Sequence, residues 1–190
     1  MNSDCDEELR AEADRLLATG LRQILNDYGE INIVGSSVLR LMAWRDLDIH
    51  LVRSELDRKS FFELGARIAD LLTPHRMHYR DQTIISAEGL PAGLYWGVYL
   101  GDERDGAWKI DIWMTNSDGL RKVREYGERI SGRLSTATRK TILDIKSACW
   151  QHPQYRKGFS SSDIYDAVLD HGIGNIEEFW RFVRDRRRLI

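Results

Sequence analysis

Two stretches of the chain put carboxylates where strand-forming sequences rarely tolerate them. Asp46-Leu47-Asp48-Ile49-His50-Leu51-Val52 alternates polar and aliphatic residues, and Trp108-Lys109-Ile110-Asp111-Ile112-Trp113-Met114 carries one aspartate in the middle of an apolar run. Side chains two apart along a strand share a face. Asp46, Asp48 and His50 therefore point one way, and Leu47, Ile49 and Leu51 point the other, into a core. Strands disfavour aspartate, and two carboxylates roughly 7 Å apart on one face repel each other. The arrangement needs a compensating charge. Hard oxygen donors of this kind suit magnesium, which takes one or two carboxylates and completes its shell with water and phosphate oxygens. Asp111 shares its face with Lys109 and Trp113. Buried alone it would cost several kcal/mol by order of magnitude unless paired with a cation or bound to metal. If the two strands are neighbours, three carboxylates meet, enough to hold two metal ions.

The rest of the chain supplies a frame for such a sheet. Leu9, Ala13, Leu16, Leu17, Leu21, Ile24 and Leu25 recur at helical spacing, which predicts an amphipathic helix over about 7–27 ended by Gly29. Ile31-Asn32-Ile33-Val34 reads as a short strand that turns at Gly35-Ser36-Ser37 into a second helical pattern of Val38, Leu39, Leu41 and Met42. Ser60 and Glu63 form a capping-box pattern opening a third helix, which Pro74 closes. Leu94 to Leu100 and Trp108 to Met114 read as an antiparallel hairpin, with a weaker strand over Arg76 to Tyr79. Beyond Asn116 only helical patterns occur, over about 117–133, 136–151, 162–171 and 175–188. The expected fold is α+β: a mixed β-sheet core with flanking helices over residues 1–115 and a helical C-terminal part over 116–190.

Composition excludes several classes. The chain has 190 residues, 42% of them apolar and 31% charged, which is the balance of an ordinary folded domain. With 28 basic and 30 acidic side chains the net charge is -2, so no global attraction to a polyanion exists and nucleic acid is an unlikely partner. Five arginines between Arg181 and Ile190 are the local exception, and they suit a helix C-terminus. Two cysteines, Cys5 and Cys149, are too few for a disulfide framework or a thiolate metal site. The most apolar stretch, Gly89 to Gly101, is too short to cross a bilayer, and Met1 to Asp14 lacks the basic and apolar character of a secretion signal. A cytoplasmic location without membrane association is expected. Oligomeric state is not readable.

Val34-Gly35-Ser36-Ser37 adds a second chemical element. Glycine at a strand exit lets a phosphate approach the backbone, and a following helix offers free N–H groups with hydroxyls beside them. Alone, such a turn is an ordinary N-cap. In the pattern Ile142, Ile145, Lys146 and Cys149 the lysine lies on an apolar stripe, where an ammonium is expected to meet an anion or to snorkel from the edge; Lys140 and Arg40 are weaker candidates. His50 shares the face of the aspartate pair and suits a supporting role. His75 and His78 read as surface residues, Asp163, Asp166 and Asp170 as a solvated helix face, and Ile176, Phe179, Trp180 and Val183 as a core stripe. There is no Gly-x-Ser-x-Gly elbow, His-Glu-x-x-His pair or Walker lysine.

Gly35-Ser36, nine residues, Asp46-Leu47-Asp48 and then Asp111 in a separate apolar strand together resemble the DNA polymerase beta-like nucleotidyltransferase superfamily, over about residues 31–114. The likeness is greatest to small bacterial members, the antibiotic-modifying and minimal nucleotidyltransferases; the segment from Ser160 to Leu169 matches no acceptor-binding domain of known kind. The resemblance implies transfer of a nucleoside monophosphate from a nucleoside triphosphate to a hydroxyl of a small-molecule acceptor, with release of pyrophosphate. It implies Asp46, Asp48 and Asp111 as metal-holding catalytic residues, two magnesium ions with manganese able to substitute, and Gly35, Ser36, Ser37 and Lys146 as nucleotide-binding residues. A protein-modifying, antitoxin-type transferase and a catalytically retired nucleotide-binding module are the alternatives.

Overall fold

The structure, a computed structural model, describes residues 2–84 and 91–188, with the side chains of residues 5–84 and 91–186. The expected Gly89 to Gly101 stretch and the arginine-rich C-terminus therefore lie partly outside the described residues. Among the described residues five strands form one sheet: β1 (Glu30–Val34), β2 (Asp46–Val52), β3 (Arg76–Asp81), β4 (Leu94–Tyr99) and β5 (Lys109–Thr115). Their spatial order is β1-β2-β5-β4-β3. Only β2 and β5 run parallel; the other three pairings are antiparallel. The fold is α+β with a mixed sheet, as the alternation of the strands predicts.

The helices are α1 (Asn2–Leu16), α2 (Arg22–Asn26), α3 (Ser36–Leu39), α4 (Arg58–Leu72), α5 (Ser117–Ser131), α6 (Thr136–Cys149), α7 (Ser161–His171) and α8 (Ile176–Arg188). The single helix expected over 7–27 is broken by a π turn, Leu17–Leu21, where Gly20 takes φ 111°. Glycine reaches that conformation without a Cβ clash. The amphipathic stripe survives the break, because Ala13, Leu17, Leu21 and Leu25 are all buried. The cap of α4 also differs from expectation: Asp57, not Ser60, accepts the Lys59 and Ser60 N–H groups at 3.0 and 3.2 Å, so the helix starts a turn earlier. The helix after Gly35 is only four residues long, and Leu41 and Met42 lie beyond it.

One face of the sheet is sealed. Leu47, Ile49, Leu51, Leu94, Val98, Ile110, Ile112 and Met114 are essentially inaccessible and pack against Leu21, Leu25, Phe61, Leu64 and Ile68. Gly65 lets α4 lie directly on Trp96, since a Cβ there would come within 2.8 Å of the indole. The Trp96 indole N–H donates to the Phe61 carbonyl at 2.9 Å.

A second apolar cluster joins the segment after β1 to the C-terminal helices: Leu39, Leu41 and Trp44 pack with Ile130, Ile142, Ile145, Phe159, Ile164 and Phe179. Phe179 and Val183 are buried there, with Ile176 and Trp180 against them, as the stripe predicts. Asp163 on the solvated face also has a structural part. It accepts from the Ser160 N–H at 2.8 Å and caps α7. Among the described residues no helix is long and apolar enough to cross a membrane.

Candidate active site

Strand register collects the polar residues of the chain into three rows across the other face. One row runs Arg76, Tyr99, Lys109, Asp46; the next His78, Gly97, Asp111, Asp48, Val34; the third Arg80, Tyr95, Trp113, His50, Asn32. Asp48 and Asp111 are direct partners across the parallel pair, and Asp46 faces Lys109. The three carboxylates expected to converge are thus neighbours on one face. Asp48 and Asp111 open into a cleft of about 490 Å³ whose lining also includes Lys109, Tyr95, Arg80 and Arg156, with Asp46 just outside it behind Lys109.

Lys109 is the partner that the sequence left undecided. Its ammonium donates to Asp46 Oδ1 at 3.0 Å and also to Asp111 Oδ2. Burial disfavours the charged ammonium, but Asp46 and Asp111 outweigh it and hold the group well above the ordinary lysine range. Asp46 is raised by burial, with Asp111 adding and Lys109 opposing. Asp48 is raised well above the usual carboxylate range, by burial first and then by Asp46 and Asp111. The Tyr95 hydroxyl donates to Asp111 Oδ1 at 2.7 Å, which fixes that carboxylate from the opposite side to Lys109. Gly97 makes this possible: a Cβ there would stand 2.5 Å from the Tyr95 hydroxyl.

Gly35 sits against the same cluster. It takes φ 70°, and a Cβ on it would come within 2.2 Å of Asp48 Oδ2, so a bare backbone is required beside that carboxylate. Ser36 and Ser37 begin α3 just beyond it and are half-buried. Lys146, expected to meet an anion, is buried with 1% exposure behind the site. Its ammonium donates to the Leu41 carbonyl and lies 3.4 Å from the Tyr165 hydroxyl. It therefore anchors the chain after α3 to α6 and α7 and is absent from the lining of the carboxylate cleft. His50 is buried and stacked on Trp113 at 6.1 Å, its Nδ1 without a hydrogen-bond partner among the described residues, and burial pulls its pKa down to about 4.

Arg76, Arg80 and Arg156 are site residues that the sequence reading missed. Arg76-x-His78-x-Arg80 does carry a signal, since its alternation puts all three on the face of Asp111. Arg156 carries none. It comes from the loop between α6 and α7, takes the left-handed φ of 63°, and leans over Trp44 at 5.3 Å. Backbone strain at a non-glycine residue costs on the order of 1–3 kcal/mol and is held in place by its surroundings. Here those are the Trp44 ring and Glu103, 3.3 Å from the guanidinium.

The donor chemistry fits a hard divalent cation. Three carboxylates face one ammonium, and Asp48, though enclosed, has no hydrogen-bond partner among the described residues. Among the described residues no three acidic, histidine or cysteine side chains stand ready-made around one ion. Lys109 occupies the space between Asp46 and Asp111, so a cation there has to share or displace that ammonium.

No family model and no curated protein matches the chain. Among solved structures it is similar to the one titled "structure of GLD-2/RNP-8 complex", with 14% sequence identity and a TM-score of 0.45, over 88% of this chain and 64% of that chain. The chain thus spans about 64% of that neighbour's length. A likeness so remote assigns neither reaction nor partner.

Proposed function

We propose that the chain is a magnesium-dependent nucleotidyltransferase, moving a nucleoside monophosphate from a nucleoside triphosphate onto a hydroxyl of a small-molecule acceptor. The observation that carries this reading is the pairing of Asp48 with Asp111 across adjacent parallel strands, with the bare backbone of Gly35 against Asp48. Neighbouring carboxylates of this kind are unfavourable without cations, and Gly35 lets the strand-to-helix turn lie directly against Asp48. This supports the sequence resemblance independently of any relative.

In this reading Asp46, Asp48 and Asp111 would hold two magnesium ions, or manganese in their place, which would supply charge stabilisation at the attacking and leaving oxygens. Gly35 and Ser36 would border the triphosphate. The acceptor hydroxyl oxygen attacks the α-phosphorus, the bond to the bridging oxygen of the β-phosphate breaks, and pyrophosphate leaves with that electron pair. The hydroxyl proton passes to Asp111, whose carboxylate Tyr95 and Lys109 hold in place. Lys109 bridges Asp46 and Asp111 and would have to yield one of them to a cation, while Lys146 ties the Leu41 segment to α6.

The Lys109 bridge also favours a second reading, a nucleotide-binding module without turnover, because an ammonium already neutralises two of the carboxylates. Labelled ATP, GTP, CTP and UTP with magnesium or manganese, offered with small acceptors and with lysate protein, separate the two. Transfer of label with release of pyrophosphate, lost in Asp48→Asn, supports the transferase. Nucleotide-dependent stabilisation of the folded protein with no pyrophosphate released supports the module and overturns the transferase.

A further inference from the structure

The cleft is not electrostatically symmetric about the carboxylates. On the Gly35 side the surface is mostly apolar with one charge of each sign, Arg124 and Glu128. On the other side, over β5, β4 and β3, stand Arg76, Arg80 and Arg156. Glu103 lies against this wall, 3.7 Å from Arg76 and 3.3 Å from Arg156, and Arg156 is also held by the charges of Asp46 and Asp111. Arg80 has no carboxylate partner among the described residues; its guanidinium donates to the neutral nitrogen of His78 at 2.7 Å. Desolvation first, and then the nearby Arg80 and Arg76, keep His78 below its ordinary range, so it accepts from Arg80 as a neutral ring. Arg76 is pre-positioned by lying 3.9 Å over the Tyr99 ring.

Distance separates this wall from the phosphate turn. With strands about 4.8 Å apart, β3 lies roughly 14 Å from β2 and roughly 19 Å from β1. A triphosphate resting on Gly35 and Asp48 would not reach the β3 arginines, of which Arg80 has no carboxylate partner among the described residues and Arg76 shares Glu103 with Arg156. A cationic acceptor, such as an aminoglycoside, would face like charge there, and a neutral polyol would leave the guanidinium forks unused.

We propose that the acceptor is a phosphate-bearing molecule, seated over β3, β4 and β5 with its phosphate on Arg76, Arg80 and Arg156 and its free hydroxyl at Asp111. The proposal rests on the transferase reading for the role of that hydroxyl, while the anion site itself is testable without turnover. It gives the acceptor, left above as a small molecule, an anionic character.

The test is binding to the whole chain, folded and free of added nucleotide, for glucose 6-phosphate, glucose, kanamycin and a short single-stranded RNA. Glucose 6-phosphate or the RNA is expected to bind, and glucose and kanamycin to bind at least about tenfold more weakly. In Arg76→Gln/Arg80→Gln, affinity for the phosphorylated probe falls about tenfold or more, whereas affinity for ATP with magnesium changes less than about twofold. Preference for the RNA assigns a polynucleotide end, and preference for the sugar phosphate a small molecule; either supports the proposal. No phosphorylated probe binding below about 1 mM, equal or tighter binding of glucose or kanamycin, or loss of ATP affinity in the double variant overturns it. The transferase reading fails separately, if magnesium and ATP leave thermal stability unchanged in wild type and in Asp48→Asn alike.

Discussion

The two faces of the sheet are built from the same strands by the same alternation, yet they behave as different materials. On one, Leu47, Ile49, Ile110 and Ile112 are fully buried against α4 and the N-terminal helices, and each added contact strengthens the fold. On the other, Asp46, Asp48, Lys109 and Asp111 stand side by side, partly enclosed, with burial pushing Asp46 and Asp48 away from their ordinary ionisation. The sealed face provides the stability that lets the open face hold groups in an unfavourable state. Substitutions should therefore split cleanly: the sealed face controls folding, the open face controls chemistry.

The largest effect expected is at Asp48. Asp48→Asn should lower turnover by about a thousandfold or more, roughly 4 kcal/mol of transition-state stabilisation. In metal-free buffer the same change should raise the melting temperature by a few degrees, on the order of 1 kcal/mol, because it removes a buried charge from a like-charged group. Pyrophosphate release and thermal scans read the two quantities, and a variant both active and unstable would break the comparison. On the sealed face Leu64→Ala should cost about 2–5 kcal/mol in urea unfolding, while the turnover of the folded fraction stays within about threefold of wild type.

Gly97→Ala probes the open face by sterics alone. Its new Cβ would collide with the Tyr95 hydroxyl and push it off Asp111, so turnover should fall about 10–100-fold, and Tyr95→Phe should show a loss of similar size. A smaller effect distinguishes the layers by thiol chemistry. Cys149 is buried among the helices behind the site and pushed up to about 12 by burial, whereas Cys5 is exposed. Under native conditions iodoacetamide should label Cys5 and leave Cys149 intact, and magnesium with ATP should slow the residual labelling of Cys149 further. Equal labelling of both thiols would mean that the helical layer opens freely.

Much of the frame was legible because strand and helix periods are local properties. The alternation of Asp46 to Val52 predicted β2 with its residues correctly divided between the faces, and the apolar run around Asp111 predicted β5. Capping and breaks were less legible. Ser60 with Glu63 satisfies the capping pattern, but Asp57 one turn earlier offers a better acceptor, and nothing local signalled the π turn beyond a lone Gly20. At the site, the three aspartates and Gly35 were readable from spacing. Lys146 was readable as unusual, but its stripe position could not say that its ammonium donates to the Leu41 carbonyl. Arg156 was invisible, because a loop residue at positive φ has no period to reveal it.

The sequence by itself determined which carboxylates share a face with which apolar residues hidden behind them, because side-chain direction along a strand follows from covalent geometry. Only the tertiary structure decided that β2 and β5 are parallel neighbours, that Asp48 lies level with Asp111, and that Lys109 and the arginines of β3 and the α6–α7 loop join them. Register between distant strands is set by how whole layers pack, a non-local balance of burial and charge that no window of sequence contains.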